Sequence, residues 1–165
     1  MEMKDVKRLF VDTNILIFST NELSEWQQPA EKTLHEARQL GIDLIISSQI
    51  LREYLAAATR INLMGKALPL PKILENVRVF RSEFIVIDDN PFVLDGLVDI
   101  LTKVAVAGKQ VHDANIVATM QVHGVYHLLT HNTADFERFS SFINILPLEQ
   151  TYKSIAAAWS LPTNS

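Results

Sequence analysis

The sequence predicts an α/β fold: a three-layer α/β/α sandwich whose central sheet is mostly parallel. Short, continuous apolar runs alternate with longer segments that have helical periodicity. Strands that are apolar throughout are typical of a sheet buried on both faces, and the intervening helices then cover both faces. Because no repeat, low-complexity segment or linker interrupts this alternation, we expect one domain over residues 1–165.

Five short apolar runs are the predicted strands of this sheet. They are rich in Ile, Val, Leu and Phe and are too short to be helices. In chain order they are RLFV at 8–11, LII at 44–46, FIVI at 84–87, VYHLL at 125–129 and FINIL at 142–146.

Helical segments fill the intervals between these strands. The predicted helices cover 31–40, 49–60, 72–81, a segment opened by Asn90-Pro91, 111 to about 124, and a last one reaching Trp159. Gly41 and Gly124 are C-terminal stop signals, and Ser48 and Thr151 are predicted N-caps.

In two of these helices, side chains three or four positions apart line up on one face. The helix over 72–81 places Leu74, Val77 and Arg81 in register. In the next helix the predicted stripe is Leu94, Leu97, Val98, Leu101 and Val104, and the carboxylates Asp95 and Asp99 lie off it on a solvated face.

Composition excludes several classes of protein. The chain is 48% hydrophobic and 21% charged, which is typical of a globular protein. No apolar run approaches the ~18 residues of a membrane span, and the N-terminus lacks the pattern of a signal peptide. The absence of cysteine excludes disulfides, thiolate zinc sites and cysteine nucleophiles. We therefore expect a cytoplasmic protein that does not enter a membrane.

The net charge of −4 argues against a wholly basic nucleic-acid-binding surface. It is compatible with an acidic metal pocket flanked by local basic patches, because the distribution of charge matters more than its sum.

A carboxylate interrupts an apolar helix face in the stretch VHDANIVATM. Read as a helix, this stretch places Asp113 on the same face as Ile116, Val117 and Met120. One interpretation is that Asp113 is the N-cap of the helix, and the other is that it is a functional carboxylate held in a pocket.

Three more acids lie where they could reach one edge of the sheet. Asp12 directly follows the strand RLFV, Glu53 lies in the first turns of the helix after LII, and Asp135 lies in the loop THNTADF after VYHLL. In open α/β sheets, ligands bind outside the carboxyl ends of the strands. Each acid also has a structural interpretation: Asp12 as a helix cap near Ile15, Glu53 as a neighbour of a helix stripe, and Asp135 as a loop residue.

Such a group of carboxylates repels itself. Two unit charges about 5 Å apart cost roughly 3 kcal/mol at an effective dielectric constant near 20. Oxygen ligands suit Mg²⁺ or Mn²⁺ rather than zinc. Cations of this kind lower the pKa of bound water and stabilise charge on a phosphodiester, which is the chemistry of a nuclease.

Four segments carry a resemblance to a known family. They are FVDTNILI at 10–17, SSQILREYL at 47–55, VHDANIVA at 111–118 and LLTHNTADFERF at 128–139. Together, and in this order, they resemble the PIN-domain (PilT N-terminal) nucleases, especially the VapC-type toxins of VapBC toxin–antitoxin pairs.

The resemblance implies a PIN-like doubly wound sandwich and Mg²⁺-dependent cleavage of RNA, with Mn²⁺ as a second possible cofactor. It assigns both the catalytic and the metal-binding roles to Asp12, Glu53, Asp113 and Asp135. The polar residues that it places around these acids, as support or substrate contacts, are Thr13, Asn14, Thr130 and Asn132. It also implies an RNA substrate, a cognate antitoxin and a homodimer.

Two other functions stay open beside a toxin ribonuclease. One is a housekeeping PIN nuclease that acts on other RNA or on DNA. The other is a catalytically silent PIN-like interaction module, which loss of the acids would mark, and none of the four is lost. Secondary candidates for contacts to substrate phosphate are His112, His131, Arg52, Arg60, Lys109 and Arg138.

Overall fold

Five parallel strands form one central sheet in the order β3-β2-β1-β4-β5. The structure is a computed structural model, and it describes residues 3–63 and 68–159. The strands are β1 (Arg8–Val11), β2 (Asp43–Ser47), β3 (Ile85–Ile87), β4 (His127–Thr130) and β5 (Asn144–Pro147).

Helices cover both faces of this sheet. In chain order they are α1 (Thr13–Ser19), α2 (Gln27–Gln39), α3 (Ser48–Leu63), α4 (Leu70–Glu83), α5 (Pro91–Lys103), α6 (Gln110–Val122), α7 (Thr133–Phe136) and α8 (Leu148–Trp159). Helix α1 packs against α2 and α3, α2 packs against α8, and α5 packs against α6. The predicted three-layer α/β/α sandwich is therefore confirmed, and its sheet is wholly parallel.

None of the helices within the described residues is both long and apolar enough to cross a membrane.

Strand β1 lies at the centre of the sheet. Phe10 is in register with Ile45 of β2 on one side and with Leu128 of β4 on the other. Leu9, Phe10 and Val11 are fully buried, as expected for a strand with helices on both faces. The residue that follows this strand is Asp12, so the first predicted acid lies at the middle of the carboxyl edge.

The structure corrects two predicted helix caps. Helix α3 begins at Ser48, and the residue before it, Ser47, accepts a hydrogen bond from the Ile50 N–H at 3.3 Å through its Oγ. The Ser48 hydroxyl donates instead to Asp88. Helix α8 begins at Leu148, so Thr151 lies inside the helix, where its hydroxyl donates to the Pro147 carbonyl at 2.8 Å.

The predicted stripe of α5 is buried only in part, and α4 buries the face next to its predicted set. Helix α4 buries Ile73, Asn76 and Phe80, one position before the predicted set, and Leu74 is exposed. Helix α5 buries Val93, Leu97 and Ile100, and three members of its predicted stripe are exposed: Leu94, Val98 and Leu101. Each helix is apolar on two adjacent faces, and the neighbouring elements decide which face is buried.

Asp95 and Asp99 are exposed, as predicted.

Several element boundaries differ from the predicted ones. The strands predicted at FIVI, VYHLL and FINIL each begin one or two residues later than expected, and α2 begins four residues earlier, at Gln27.

Candidate active site

All four predicted acids line one cavity at the carboxyl edge of the sheet. The cavity has a volume of about 330 Å³. Its polar lining residues are Asp12, Thr13, Asn14, Glu53, Asp113, Asn132 and Asp135, and its apolar lining residues are Ile17, Phe18, Ala57 and Phe136. Side chains that are up to 123 positions apart in sequence therefore meet because the carboxyl ends of parallel strands share one edge.

Asp12 is the buried centre of the site, with 6% of its surface exposed. Its Oδ1 accepts the Thr13 N–H at 2.7 Å, which caps α1. Its Oδ2 accepts two more hydrogen bonds at 2.6 Å, from the Thr130 hydroxyl and from the Asn14 amide. The capping interpretation of this residue is confirmed, and the same carboxylate also lines the cavity.

Thr130 and Asn14 connect the ends of β1 and β4. The Thr130 Oγ1 accepts the Asn14 Nδ2–H and the Asn132 N–H, each at 3.1 Å, while it donates to Asp12. The Asn14 Oδ1 accepts the His131 N–H at 3.0 Å. These bonds hold the loop after β4 against the start of α1, so the polar residues predicted around the acids form one network.

Glu53 is positioned from two sides. The Thr13 hydroxyl donates to its Oε2 at 2.9 Å, and the Gln49 amide donates to its Oε1 at 2.8 Å. Thr13 belongs to α1 and Gln49 lies one turn earlier in α3, so the carboxylate is tied to both helices.

Gln49 is a residue that the sequence analysis missed. It is buried, and its Nε2 also donates to the His112 carbonyl at 3.0 Å, while its Oε1 accepts the Asn115 amide at 2.8 Å. It therefore joins Glu53 in α3 to the first turns of α6. The available signal was its position four residues before Glu53, a spacing at which helical side chains meet.

Asp113 lies in the first turns of α6 but is not its N-cap. The helix begins at Gln110 after Lys109, so the capping interpretation of Asp113 was wrong. Its neighbours on the same face, Ile116 and Val117, are buried, while Asp113 is half-buried at the cavity. The carboxylate occupies the end of the core-facing stripe because that end opens into the cavity.

Asp135 stands at the rim of the cavity. It lies in α7, where its backbone N–H donates to the Asn132 carbonyl at 3.2 Å, and its side chain is exposed.

The carboxylates interact electrostatically. Burial raises the pKa of Asp12 to about 6, and the charge of Glu53 adds to this rise against the lowering effect of the hydrogen bonds from Thr130, Thr13 and Asn14. The pKa of Asp113 is also raised to about 6. Burial is the largest cause of this rise, and the negative charges of Asp135, Asp12 and Glu53 add to it. A cavity in which ionised carboxylates repel each other favours protons or cations.

The chemistry of this donor set fits a hard divalent cation, since every polar group that lines the cavity offers oxygen and the acids carry its charge. Within the described residues, no three or more His, Cys, Asp or Glu side chains are already arranged to hold a metal ion. Mg²⁺ typically uses only one or two carboxylates and fills its remaining positions with water, so such a cluster is not required.

The basic and histidine candidates lie outside this cavity. Arg138 donates to the Gln110 side chain at 2.7 Å and to the Ala105 carbonyl at 3.3 Å, so it braces the segment before α6. Arg52, Arg60 and Lys109 are exposed. The His112 backbone carbonyl accepts a hydrogen bond from Gln49, and the His131 ring contacts the rings of Trp26 and Phe18. Neither Lys nor Arg lines the cavity in the part of the chain that the structure describes.

Comparison with known sequences gives no family: neither a protein-family model nor a curated protein matches this chain.

Comparison with solved structures identifies the fold. A chain of the VapBC2 complex from Rickettsia felis, bound to a DNA fragment from its promoter, is 16% identical, with a TM-score of 0.66 over 85% of this chain and 98% of that one. A chain of a toxin–antitoxin complex from Klebsiella pneumoniae is 21% identical, with a TM-score of 0.61 over 85% and 97%.

VapC20 from Mycobacterium tuberculosis, a toxin that cleaves the sarcin-ricin loop, is 15% identical, with a TM-score of 0.60 over 84% of this chain and 99% of that one. The chain therefore has the fold of VapC-type toxins, as the resemblance of the four segments implied.

Proposed function

We propose that this protein is a divalent-cation-dependent endoribonuclease, the toxin of a toxin–antitoxin pair, with Mg²⁺ or Mn²⁺ as its cofactor. The observation that carries the proposal is the meeting of Asp12, Glu53, Asp113 and Asp135 around one cavity at the carboxyl edge of the sheet. The fold shared with a toxin that cleaves the sarcin-ricin loop supports RNA as the substrate. The intact set of acids favours an enzyme over a silent interaction module.

Each acid has a distinct part in this proposal. Asp12, fixed by three hydrogen bonds, would hold the cation together with Glu53 and Asp113. The exposed Asp135 would contact the cation through a water molecule. The bound cation supplies an activated water and stabilises the charge that develops on the scissile phosphate. The half-buried Asp113 would accept the proton of the attacking water at a carboxylate oxygen, because both oxygens of Asp12 and of Glu53 already accept hydrogen bonds.

The test is cleavage of an RNA panel with Mg²⁺, with Mn²⁺ and with EDTA. The panel contains tRNA, a sarcin-ricin-loop hairpin and an unstructured RNA, with single-stranded DNA beside them. We compare wild type with Asp12→Asn and Asp113→Asn, and the matched control is Asp95→Asn, which removes an exposed carboxylate from α5.

The expected result is metal-dependent RNA cleavage by wild type and Asp95→Asn, with a loss of at least about 100-fold in the two site variants while both stay folded. Cleavage confined to DNA would favour a housekeeping nuclease. If both site variants cut as well as wild type, the acidic cavity is not the active site.

We also propose a cognate antitoxin and a cytoplasmic location, because a toxin made inside a cell needs a partner there. The likeness to a chain of a toxin–antitoxin complex supports the partner. Co-expression with the protein encoded beside it should yield a complex that no longer cleaves RNA.

We also propose that the protein forms a homodimer, in addition to binding RNA and an antitoxin. Helix α5 exposes Leu94, Val98 and Leu101 along one face, and a twofold pairing would place this apolar face against its own copy. Light scattering after size exclusion should give a dimer for wild type and for Gln39→Lys, and a monomer for Val98→Lys. A wild-type monomer would contradict the proposal.

A further inference from the structure

An aromatic cluster borders the acidic cavity, formed by Phe18, Trp26 and His131. The rings of Trp26 and His131 lie 4.4 Å apart between centroids at 51°, and the edge of Phe18 meets His131 at 5.2 Å and 86°. These distances and angles are those of interacting aromatic rings. Phe18 itself lines the cavity that holds the four acids. The cluster is therefore continuous with the proposed site.

The cluster is fixed in place on each of its elements. Trp26 directly precedes α2, and its N–H donates to the Ser24 hydroxyl at 3.1 Å while its carbonyl accepts the Ala30 N–H at 3.0 Å. His131 is held by the hydrogen bond from its N–H to Asn14. Phe18 and Trp26 pack against the core on one side and stay only partly buried. The cluster is thus anchored on the core and leaves part of its aromatic surface exposed.

The charge of the cavity explains why such a surface is needed. The cavity is lined by four acids and, within the described residues, by neither Lys nor Arg, so the proposed cation is the one positive partner that it offers to the phosphates of a nucleic acid. Nucleobases, in contrast, carry no net charge and stack on aromatic rings, and this is how unpaired RNA is usually recognised.

We propose that Phe18, Trp26 and His131 form a subsite for an unpaired nucleobase next to the scissile phosphate, so that the substrate is RNA that is single-stranded at the cut. This inference rests on the proposed ribonuclease function. Stacking anchors the strand beside the acids, and a base held in a duplex cannot present its face to these rings.

The experiment uses the fluorescence of Trp26. The chain has two tryptophans, Trp26 and Trp159, so Trp159→Phe leaves Trp26 as the only reporter. This change is combined with Asp113→Asn to prevent turnover. The protein is titrated with a single-stranded RNA of roughly ten nucleotides, with the same RNA carrying one abasic position at successive sites, and with its duplex.

The expected result is saturable quenching of Trp26 by the single strand, with weaker binding of one abasic RNA and of the duplex. In the chain with Asp113 intact, Trp26→Leu should raise KM by on the order of tenfold or more with a smaller change in kcat, and Trp26→Phe should restore most of the loss. Phe18→Leu is the second variant should Trp26→Leu fail to fold. The matched control is Tyr126→Leu, which removes a 48%-exposed ring at the opposite end of β4.

Three results would overturn the subsite. They are an unchanged KM in Trp26→Leu and Phe18→Leu while wild type cleaves RNA, equal binding of single strand and duplex, and a Trp26 signal that responds to a co-expressed protein but not to RNA. The first two leave the ribonuclease proposal standing. Failure of that proposal is recognised separately, by a wild type that cleaves no RNA with any metal.

Discussion

Gln49 shows how a single buried amide can position a carboxylate of the candidate site. It donates to Glu53 and to the His112 carbonyl and accepts from Asn115, so its amide uses both of its ends. Removing it leaves three groups in a partly buried region without this partner, and each unsatisfied group costs free energy.

We predict that Gln49→Leu lowers the free energy of unfolding by about 1–3 kcal/mol and also lowers RNA cleavage, because Glu53 loses the bond that fixes its Oε1. Urea unfolding and cleavage rates measure the two effects. The matched control, Gln39→Leu at an exposed position of α2, should change neither. A variant that is destabilised but cleaves at the wild-type rate would show that Gln49 supports the fold alone.

The raised pKa of Asp113 predicts a stability that depends on pH. Its pKa rises from 3.8 to about 6 in the folded protein, so between these values the folded state keeps a proton that the unfolded state has released. Without metal, the contribution of this group to stability therefore falls as pH rises from about 4 to 6 and stays low above that range.

Asp113→Asn cannot ionise and should escape this loss. In EDTA we expect its Tm to exceed that of wild type at pH 8 by on the order of 2–4 °C, the shift for about 1 kcal/mol in a chain of this size, with solvent screening limiting the effect at a half-exposed side chain. Near pH 4 the two melting temperatures should converge. A gain of equal size at both pH values would mean that charge is not its cause.

For individual residues, the sequence predicted that the four acids lie at one edge of the sheet, because each follows a strand or lies in the first turns of a helix there. It did not locate Gln49, since its partners His112 and Asn115 are more than sixty positions away in sequence. Contacts of that range depend on how α3 and α6 meet, and periodicity within one helix carries no information about this.

The buried face of helix α5 is decided by packing rather than by its own sequence. Its apolar residues cover two adjacent faces, and the face with Val93, Leu97 and Ile100 is buried while Leu94 and Val98 remain exposed. The sequence predicted that a helix opens at Asn90-Pro91, and Asn90 does cap it through bonds to the Phe92 and Val93 N–H groups. Local signals thus gave the start of the helix, whereas its orientation depends on packing against α6.

Gly96 provides a test of that packing. A Cβ built on Gly96 would lie 3.7 Å from Ala118 and from Val122 of α6, which is ordinary van der Waals contact. Because glycine inside a helix costs roughly 0.5–1 kcal/mol relative to alanine, Gly96→Ala should stabilise the protein by about that amount. Thermal unfolding measures the change. Gly96→Leu is the contrasting variant and should destabilise, since α6 leaves no room for a large side chain; a stable Gly96→Leu would contradict the close packing of α5 and α6.

In the molecule as a whole, the order of the strands determines where the acidic cavity lies. The chain adds β2 and β3 on one side of β1 and then crosses to add β4 and β5 on the other. Asp12 and Asp135 follow the two strands that meet where this order reverses, and a crevice forms at such a point in open α/β sheets. Both the fold and the edge that carries the site could therefore be predicted from the alternation of strands and helices.

Cation binding should stabilise the whole molecule, because a ligand of the folded state shifts the unfolding equilibrium. At pH 8, MnCl₂ or MgCl₂ at about 100 times its dissociation constant should add roughly 2.7 kcal/mol to the free energy of unfolding. The double variant Asp12→Asn/Asp113→Asn should show almost none of this gain. Choline chloride at matched ionic strength controls for screening, and an equal Tm rise in that salt would exclude specific binding.

The pairing of β1 with β4 has a consequence for how this protein is made. Phe10 leaves the ribosome more than a hundred residues before its partner Leu128, and Asp135 follows later still. A nascent chain therefore contains no complete acidic cavity until Asp135 has been synthesised. A chain whose translation stops before Asp135 lacks part of the cavity. Such a fragment is therefore inactive in any reaction that needs the complete set of acids.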